Sequence, residues 1–231
     1  MQALRSLIFY TGYYGALVPH ALLCLLLGLF LPIKKRYQYF LIWNAFSVWW
    51  LKITCGIKYE VHGQENVPPA PFVILSNHQS PWETLFLYHA FLPVCAILKK
   101  ELLNIPFFGW ALRLLNPIAI DRSKKNKSLH QLLEQGKHNL DNGISVLVFP
   151  EGTRVAPGIQ KKYSAGGAEL AINAGRLILP VAHNAGVCWP DHKIIKHPGT
   201  VKVVIGKPID PAGRTAKEAI GEVENWIRNA L

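Results

Sequence analysis

A long segment without Asp, Glu, Lys or Arg, residues 7–33, sets the strongest limit on the architecture of this chain. As a helix it is long enough to cross the hydrocarbon core of a bilayer, which is about 30 Å thick. It is too long for a signal peptide and is not followed by a small-residue cleavage site. The segment therefore predicts a membrane anchor, and a buried core helix is the alternative.

A second apolar stretch, residues 39–57, contains three tryptophans and follows the basic triplet K-K-R at 34–36. Tryptophan favours the membrane interface. If both stretches crossed the membrane and the rest were cytosolic, the triplet would lie outside, against the positive-inside rule. We therefore expect that only the first stretch crosses, or that both form a shallow hairpin in the cytoplasmic leaflet. Residues 1–57 are the predicted membrane-anchoring helices.

The basic composition agrees with attachment to an anionic surface. The chain has 231 residues, with 25 Lys and Arg against 14 Asp and Glu, and a formal net charge of +11. A nucleic-acid module would interleave its basic residues with stacking aromatics on a soluble surface. Here the aromatics concentrate in the apolar N-terminus, so no nucleic-acid partner is expected. The 4 scattered cysteines form no disulfide framework and suit a reducing compartment.

From residue 58 onward, short runs rich in Val and Ile alternate with helical patterns, which is typical of an α/β fold with a mostly parallel or mixed sheet flanked by helices. Residues 58–231 are the predicted α/β domain. The predicted strands are 58–62, 72–76, 94–98, 117–120, 144–149, 177–182 and 201–205, and the predicted helices are 81–92, 106–115, 128–140, 166–174 and 215–230.

Several common site types have no motif here. The chain lacks a G-x-S-x-G elbow, a phosphate-binding P-loop, a G-x-G-x-x-G turn and an H-E-x-x-H helix. His183, Cys188, His192 and His197 cluster in sequence, but their spacing matches no standard zinc pattern. We read them as ordinary loop side chains and expect neither a metal nor a cofactor.

The first candidate motif is N-H-Q-S-P-W-E at residues 77–83, which follows a predicted strand and opens a predicted helix. Ligands commonly bind where strands of such sheets end. A carboxylate at Glu83 can reach back to the imidazole of His78, hold one nitrogen protonated and leave the other as a base. The alternative is ordinary polar surface.

The second candidate motif is F-P-E-G-T-R at residues 149–154, also at the end of an apolar strand. Arg154, together with exposed amides, can bind a phosphate through paired hydrogen bonds. The alternative is a turn with a solvated arginine.

Together the motifs resemble the N-H-x-x-x-x-D and F-P-E-G-T-R blocks of the glycerolipid acyltransferase family, and in particular its bacterial members that acylate lysophosphatidic acid. Two further blocks, at residues 99–109 and 177–182, occur in the same order as in that family. The chain departs from the pattern twice. Glu83 replaces the usual Asp, and Ser164 rather than Lys follows the aromatic Tyr163, with Lys161 and Lys162 nearby.

The resemblance implies that an acyl group passes from a thioester of coenzyme A or acyl carrier protein to the free hydroxyl of lysophosphatidic acid. His78 would deprotonate that hydroxyl, and Glu83 would orient the imidazole. Backbone amides near residue 152 or in the 77–80 turn would stabilise the oxyanion. Lys99 and Arg154 would bind the phosphate, while Glu151, Gly152 and Thr153 shape the loop. Arg122 is a further candidate, although an ion pair with Glu151 or Asp121 would equally explain it.

The expected location is the bacterial inner membrane, with the catalytic domain on the cytoplasmic side and in contact with membrane lipids. Two alternatives stay open. The acceptor could be another lysolipid, such as a lyso-ornithine lipid, or the protein could be a catalytically silent lipid-binding protein with the same fold.

Overall fold

The computed structural model describes residues 1–120 and 125–231, and a sheet of seven strands forms the centre of this described part. The strands are β1 (Ile57–His62), β2 (Val73–Ser76), β3 (Val94–Lys99), β4 (Ile118–Ile120), β5 (Ser145–Val148), β6 (Ile178–His183) and β7 (Gly199–Ile205). Their order across the sheet is β1-β7-β6-β2-β5-β3-β4.

The α-helices of the described residues lie before, between and after these strands. They are α1 (Gln2–Gly28), α2 (Ile33–Phe40), α3 (Ile42–Cys55), α4 (Pro81–Ala90), α5 (Phe108–Arg113), α6 (Lys125–Asp141), α7 (Gly166–Ala174), α8 (Ala185–Cys188) and α9 (Ala216–Asn229). Short 3-10 turns cover Gln64–Asn66 and Lys100–Asn104.

All neighbouring strands run parallel except β6 and β7, which pair antiparallel. The predicted mixed sheet is thus confirmed. Its central strand β2 is covered on both faces, because Val73 and Leu75 pack into one core cluster and Ile74 into another. This double burial explains why the strand is continuously apolar. The parallel arrangement brings the carboxyl ends of β2, β5, β6 and β3 to one edge of the sheet.

Helix α1 is continuous through Pro19 and packs against α3 and α5. Within the described residues it is the one helix long and apolar enough to cross a membrane, and 17% of its most apolar window is buried. Helix α3 instead turns its inner face onto the α/β part, where Asn44 Nδ2 donates to the carbonyl of Leu85 at 3.3 Å. The domain boundary between residues 57 and 58 stays a prediction.

The start of α1 is fastened to the loop before β7 by a buried lysine. Lys196 is 1% exposed, and its Nζ lies 5.0, 3.6 and 4.5 Å from the ring centroids of Phe9, Tyr10 and Trp189. Its backbone N–H donates to Ser6 Oγ at 3.0 Å. We call these five residues the lysine clasp. The first turns of α1 therefore pack against the α/β part of the chain.

Candidate active site

The segment between β2 and α4 is shaped by a capping box. Ser80 is the N-cap residue and accepts a hydrogen bond at its side chain, Pro81 occupies the first helical position, and the Glu83 side chain returns to the N–H of Ser80. Proline at this position costs no hydrogen bond because the N–H would be unpaired anyway. The cap therefore turns Glu83 back toward the carboxyl end of β2.

This arrangement places Glu83 against His78. Glu83 Oε1 lies 2.7 Å from His78 Nδ1 and also accepts from the N–H groups of Gln79 and Ser80, at 2.9 and 2.8 Å. The carboxylate is fully buried. Burial alone would raise the pKa of Glu83, but the nearby imidazoles of His183 and His78 and the Ser80 N–H outweigh it and lower the pKa. The carboxylate is therefore charged and holds Nδ1 as a donor.

The second motif supports the same histidine. The ring of Phe149 is stacked on the imidazole of His78, with centroids 4.0 Å apart and planes 11° from parallel. Glu151 Oε2 accepts from the N–H of His78 at 2.8 Å, and the N–H of Val155 donates to the His78 carbonyl at 2.7 Å. The F-P-E-G-T-R loop thus fixes both the backbone and the ring plane of His78.

Glu151 is itself an unusual carboxyl group. Burial raises the pKa of Glu151 to about 7, and the charge on Glu83 adds to the rise, whereas the N–H of His78, Lys161 and Tyr163 act in the opposite direction. Its observed contact is with the backbone N–H of His78, and its role in shaping the loop stays a prediction.

Asn77 and His183 connect β2 to β6 beside the His78–Glu83 pair. The Asn77 side chain bonds both backbone groups of His183, at 2.8 and 3.0 Å, and His183 Nε2 lies 2.8 Å from the Asn77 carbonyl. The N–H of Ala185 donates to His183 Nδ1 at 3.3 Å, so both ring nitrogens are used. Burial lowers the pKa of His183, although the nearby charge on Glu83 opposes this shift.

Arg154 lies beside the pair rather than in contact with it. Its Nη1 donates to Asp191 Oδ1 at 2.9 Å, and the guanidinium lines an open cleft of about 320 Å³. Pro81, three residues after His78, lines the same cleft. The remaining lining residues come from α1 and from the loop after α8: Tyr10, Tyr13, Tyr14, Trp189, Asp191, His192, Lys193 and Ile194.

For the other predicted site residues, the structure gives a place in the fold rather than a contact with His78 or Glu83. Lys99 ends β3 at the same edge of the sheet as His78 and is exposed. Gly152, at φ +72°, and Thr153 are exposed in the loop, where the positive φ favours glycine. Arg122 and its possible partner Asp121 lie outside the described residues.

Four of the amides in the regions proposed for the oxyanion already have partners. The N–H groups of His78, Gln79, Ser80 and Gly152 donate to protein acceptors.

No group of three His, Cys, Asp or Glu side chains in the described ranges is arranged to hold a metal ion. Cys188 is buried, and His192 is exposed and 3.2 Å from Asp191 Oδ2.

Sequence reasoning missed the stacking of Phe149 and the partnership of Asp191 with Arg154. Phe149 was visible as the aromatic residue that directly follows β5 and begins the F-P-E-G-T-R motif. The contact with Asp191 has no local pattern in the sequence, because Asp191 lies 37 positions from Arg154 in an irregular loop.

Comparison with known proteins identifies the class that this fold and site define. The family model described as Acyltransferase matches residues 58–184. The chain is 45% identical to 1-acyl-sn-glycerol-3-phosphate acyltransferase of Pseudomonas aeruginosa, covering 100% of this chain and 91% of that protein. The Saccharomyces cerevisiae protein of the same name is 29% identical, covering 95% of this chain and 71% of the yeast protein.

A solved structure agrees. The crystal structure of the 1-acyl-sn-glycerophosphate (LPA) acyltransferase PlsC from Thermotoga maritima has a TM-score of 0.81 and 26% identity, covering 99% of this chain and 94% of that one. The chain belongs to the acyltransferase family, and the predicted family and enzyme class are thereby confirmed.

Proposed function

We propose that the enzyme transfers a fatty acyl group from an acyl thioester to the sn-2 hydroxyl of 1-acylglycerol-3-phosphate and so makes phosphatidic acid. The observation that carries this proposal is the 2.7 Å contact between His78 Nδ1 and Glu83 Oε1. It leaves His78 Nε2 to accept the proton of an acceptor alcohol. The names of the relatives from Pseudomonas aeruginosa and Saccharomyces cerevisiae support this choice of acceptor.

In this reaction His78 removes the hydroxyl proton as the oxygen attacks the thioester carbonyl. Glu83 stabilises the imidazolium that forms, since its buried charge faces Nδ1. The acceptor oxygen is itself the nucleophile, so no acyl-enzyme is required. The thiolate of coenzyme A or of the carrier protein leaves and takes up the proton. We propose that the reaction uses no metal and no cofactor beyond the acyl thioester.

Arg154 and Lys99 are the proposed ligands of the acceptor's phosphate. Arg154 faces the cleft that adjoins the start of α4, three residues beyond His78. Lys99 approaches the same edge of the sheet from the end of β3. A guanidinium suits the paired oxygens of a phosphate, and an ammonium contributes a second point charge. Gly152 and Thr153 complete the loop that carries Arg154.

The location proposed is the inner face of the bacterial inner membrane. Helix α1 is apolar and mostly uncovered, and its tyrosines at 10, 13 and 14 line the cleft that contains Arg154. An acceptor whose acyl chain stays in the bilayer could thus present its headgroup to the cleft. Apolar side chains exposed on α3, such as Ile42, Trp49 and Ile53, extend this surface.

The test is an acylation assay on the full chain in phospholipid vesicles, with labelled acyl-CoA or acyl carrier protein and lysophosphatidic acid. We expect phosphatidic acid from the unaltered enzyme and a loss of at least about 100-fold in His78→Ala, the range of general base catalysis. Circular dichroism checks that the variant is folded. No product with either donor, undiminished turnover in His78→Ala, or faster acylation of another lysolipid would each overturn the proposal.

A further inference from the structure

We infer that the loop after α8 makes a second membrane contact, in which Ile194 and Ile195 enter the boundary between the headgroups and the acyl chains of an anionic bilayer. The inference rests on the proposed location at a membrane, because it adds a loop contact to the one expected for α1. It concerns the side of the protein on which the cleft with Arg154 opens.

Two adjacent isoleucines are exposed on this loop. Ile194 is 72% exposed and Ile195 is 42% exposed. A single exposed apolar side chain is ordinary on a protein surface, whereas adjoining apolar side chains form the patches that mark contacts with proteins or membranes. The pair therefore calls for a partner from outside the chain.

Hydrogen bonds hold the loop in the shape that exposes this pair. The N–H of His197 donates to the carbonyl of Cys188 at 2.8 Å, and Lys196 Nζ donates to the carbonyl of Ile194 at 3.0 Å. The N–H of Lys196 donates to Ser6 Oγ at 3.0 Å, which fixes the loop to the start of α1. The isoleucines are thus presented beside α1 by the lysine clasp.

The apolar surface of the loop continues onto α1, which is what identifies its partner as a bilayer. Leu4, Leu7 and Ile8 are exposed on the first turns of α1, close to the clasp. Ile194 and the exposed Tyr14 of α1 line the same open cleft. A bilayer that covers the apolar face of α1 therefore lies within reach of the loop.

The charges around the pair favour an anionic surface. Lys193 directly precedes the isoleucines and is exposed, and residues 1–57 contain no Asp or Glu. Asp191 of the same loop is already paired with Arg154 at 2.9 Å. A lysine beside inserted apolar side chains can extend its ammonium to the headgroup phosphates. This combination is typical of a contact in the plane of the interface.

The experiment attaches an environment-sensitive fluorophore to Ile195→Cys in the full chain. The native cysteines are buried, so a thiol reagent should label the new one in the folded protein. The protein is bound to vesicles of phosphatidylglycerol and phosphatidylethanolamine with brominated acyl chains. We expect a blue shift and at least about twofold quenching, since side chains in interfacial contacts lie about 5–10 Å deep.

Val67→Cys is the matched control. Val67 is 37% exposed, close to the value for Ile195, but it follows β1. Because β1 is parallel to β7 and β7 is antiparallel to β6, this position lies at the opposite edge of the sheet from the carboxyl end of β6. A fluorophore there should be neither shifted nor quenched. Circular dichroism confirms that both labelled variants are folded.

Equal quenching at positions 195 and 67 would refute the inference. A blue shift at position 195 without quenching would also refute it, because it would indicate a protein partner such as a second copy of the chain. Vesicle flotation and the acylation assay separate this inference from the proposed function. If the chain floats with the vesicles and makes phosphatidic acid while position 195 stays unquenched, the function stands and the inference fails. If the chain does not bind vesicles, the proposed location fails together with the inference. Quenching at position 195 without any acylation would support the inference and overturn the function.

Discussion

The imidazole of His78 lies nearly parallel to the ring of Phe149, with centroids 4.0 Å apart and planes inclined by 11°. The hydrogen bond to Glu83 fixes the position of Nδ1, and the stacked ring fixes the plane in which the imidazole lies. Together these two contacts set the direction of Nε2. The stacked ring should also favour the imidazolium that would form in the proposed reaction, because an aromatic face attracts a cation.

Phe149→Leu should therefore lower kcat between about 2-fold and about 10-fold, since a stacked aromatic pair contributes about 0.5–1.5 kcal/mol. The KM values should change less, because Phe149 is not proposed to contact the acceptor. Phe149→Tyr keeps the ring and should retain most of the activity. Steady-state kinetics on the three proteins test this, and an equal loss in the tyrosine variant would contradict it.

Glu83→Gln should lower kcat by at least about 100-fold, because the imidazolium loses its charged partner. The glutamine oxygen can still accept from the N–H of Ser80, so the start of α4 should persist. Ser80→Ala is the control for helix capping. It should cost about 1 kcal/mol of stability and reduce kcat far less than Glu83→Gln. Similar kcat values for the two variants would show that Glu83 acts through the helix alone.

We expect the free energy of unfolding to depend on pH through the titration of Glu151. Burial raises its pKa from an ordinary value of 4.5 to about 7, so the folded chain binds more protons than the unfolded chain between these values. Stability from this group is thus greatest at low pH and decreases as the pH rises toward about 7. Glu151→Gln removes the charge and keeps an acceptor for the N–H of His78.

The measurement is the difference in Tm between Glu151→Gln and the unaltered protein, in the same detergent at pH 5 and pH 8. The difference should be more positive at pH 8. Glu65→Gln, at an exposed carboxylate, is the control and should show no such trend. A difference that is equal at both pH values would contradict the assignment.

We expect the stability contributed by the lysine clasp to depend on the volume of the Lys196 side chain more than on its charge. Burial lowers the pKa of Lys196 to about 8, and the side chain fills the space between three aromatic rings. Lys196→Met fills a similar volume without a charge and should keep a Tm close to that of the unaltered protein. Lys196→Ala leaves a cavity and should cost about 2–5 kcal/mol.

Limited trypsin digestion provides a local measurement for the same pair of variants. Arg5 lies on the first turn of α1, next to the clasp. Cleavage there should be faster in Lys196→Ala than in Lys196→Met. Equal cleavage rates and equal Tm values would show that the rings pack without the lysine side chain.

Most elements of the α/β part could be predicted because their signals are local. Helix α7 has the predicted bounds, and it ends where Gly175 adopts φ +59°, a conformation that favours glycine. Helix α4 begins at Pro81 as predicted, because the Ser-Pro start and Glu83 form its cap. The contact between His78 and Glu83 was predictable for the same reason, since the two residues are five positions apart on one strand-to-helix turn.

The features that escaped prediction depend on distant residues. The antiparallel pairing of β7 with β6 follows from the return path of the chain. The direction of a strand does not change its hydrophobic pattern, so neither sequence indicates it. Asp191 meets Arg154 only because the loop after α8 folds back over the sheet edge. Helix α3 resembles a membrane segment in composition, yet much of its surface is covered by α4 and β1.

The lysine clasp joins Ser6 to Lys196 across 190 positions. At about 5–20 residues per second, a ribosome needs roughly 10 to 40 seconds to make the intervening chain. During this interval α1 has left the ribosome, while the loop that will hold it does not yet exist. Until then the buried ring of Phe9 lacks its contacts with Trp189 and Lys196. The first turns of α1 can therefore close onto the α/β part only after nearly the whole chain has been made.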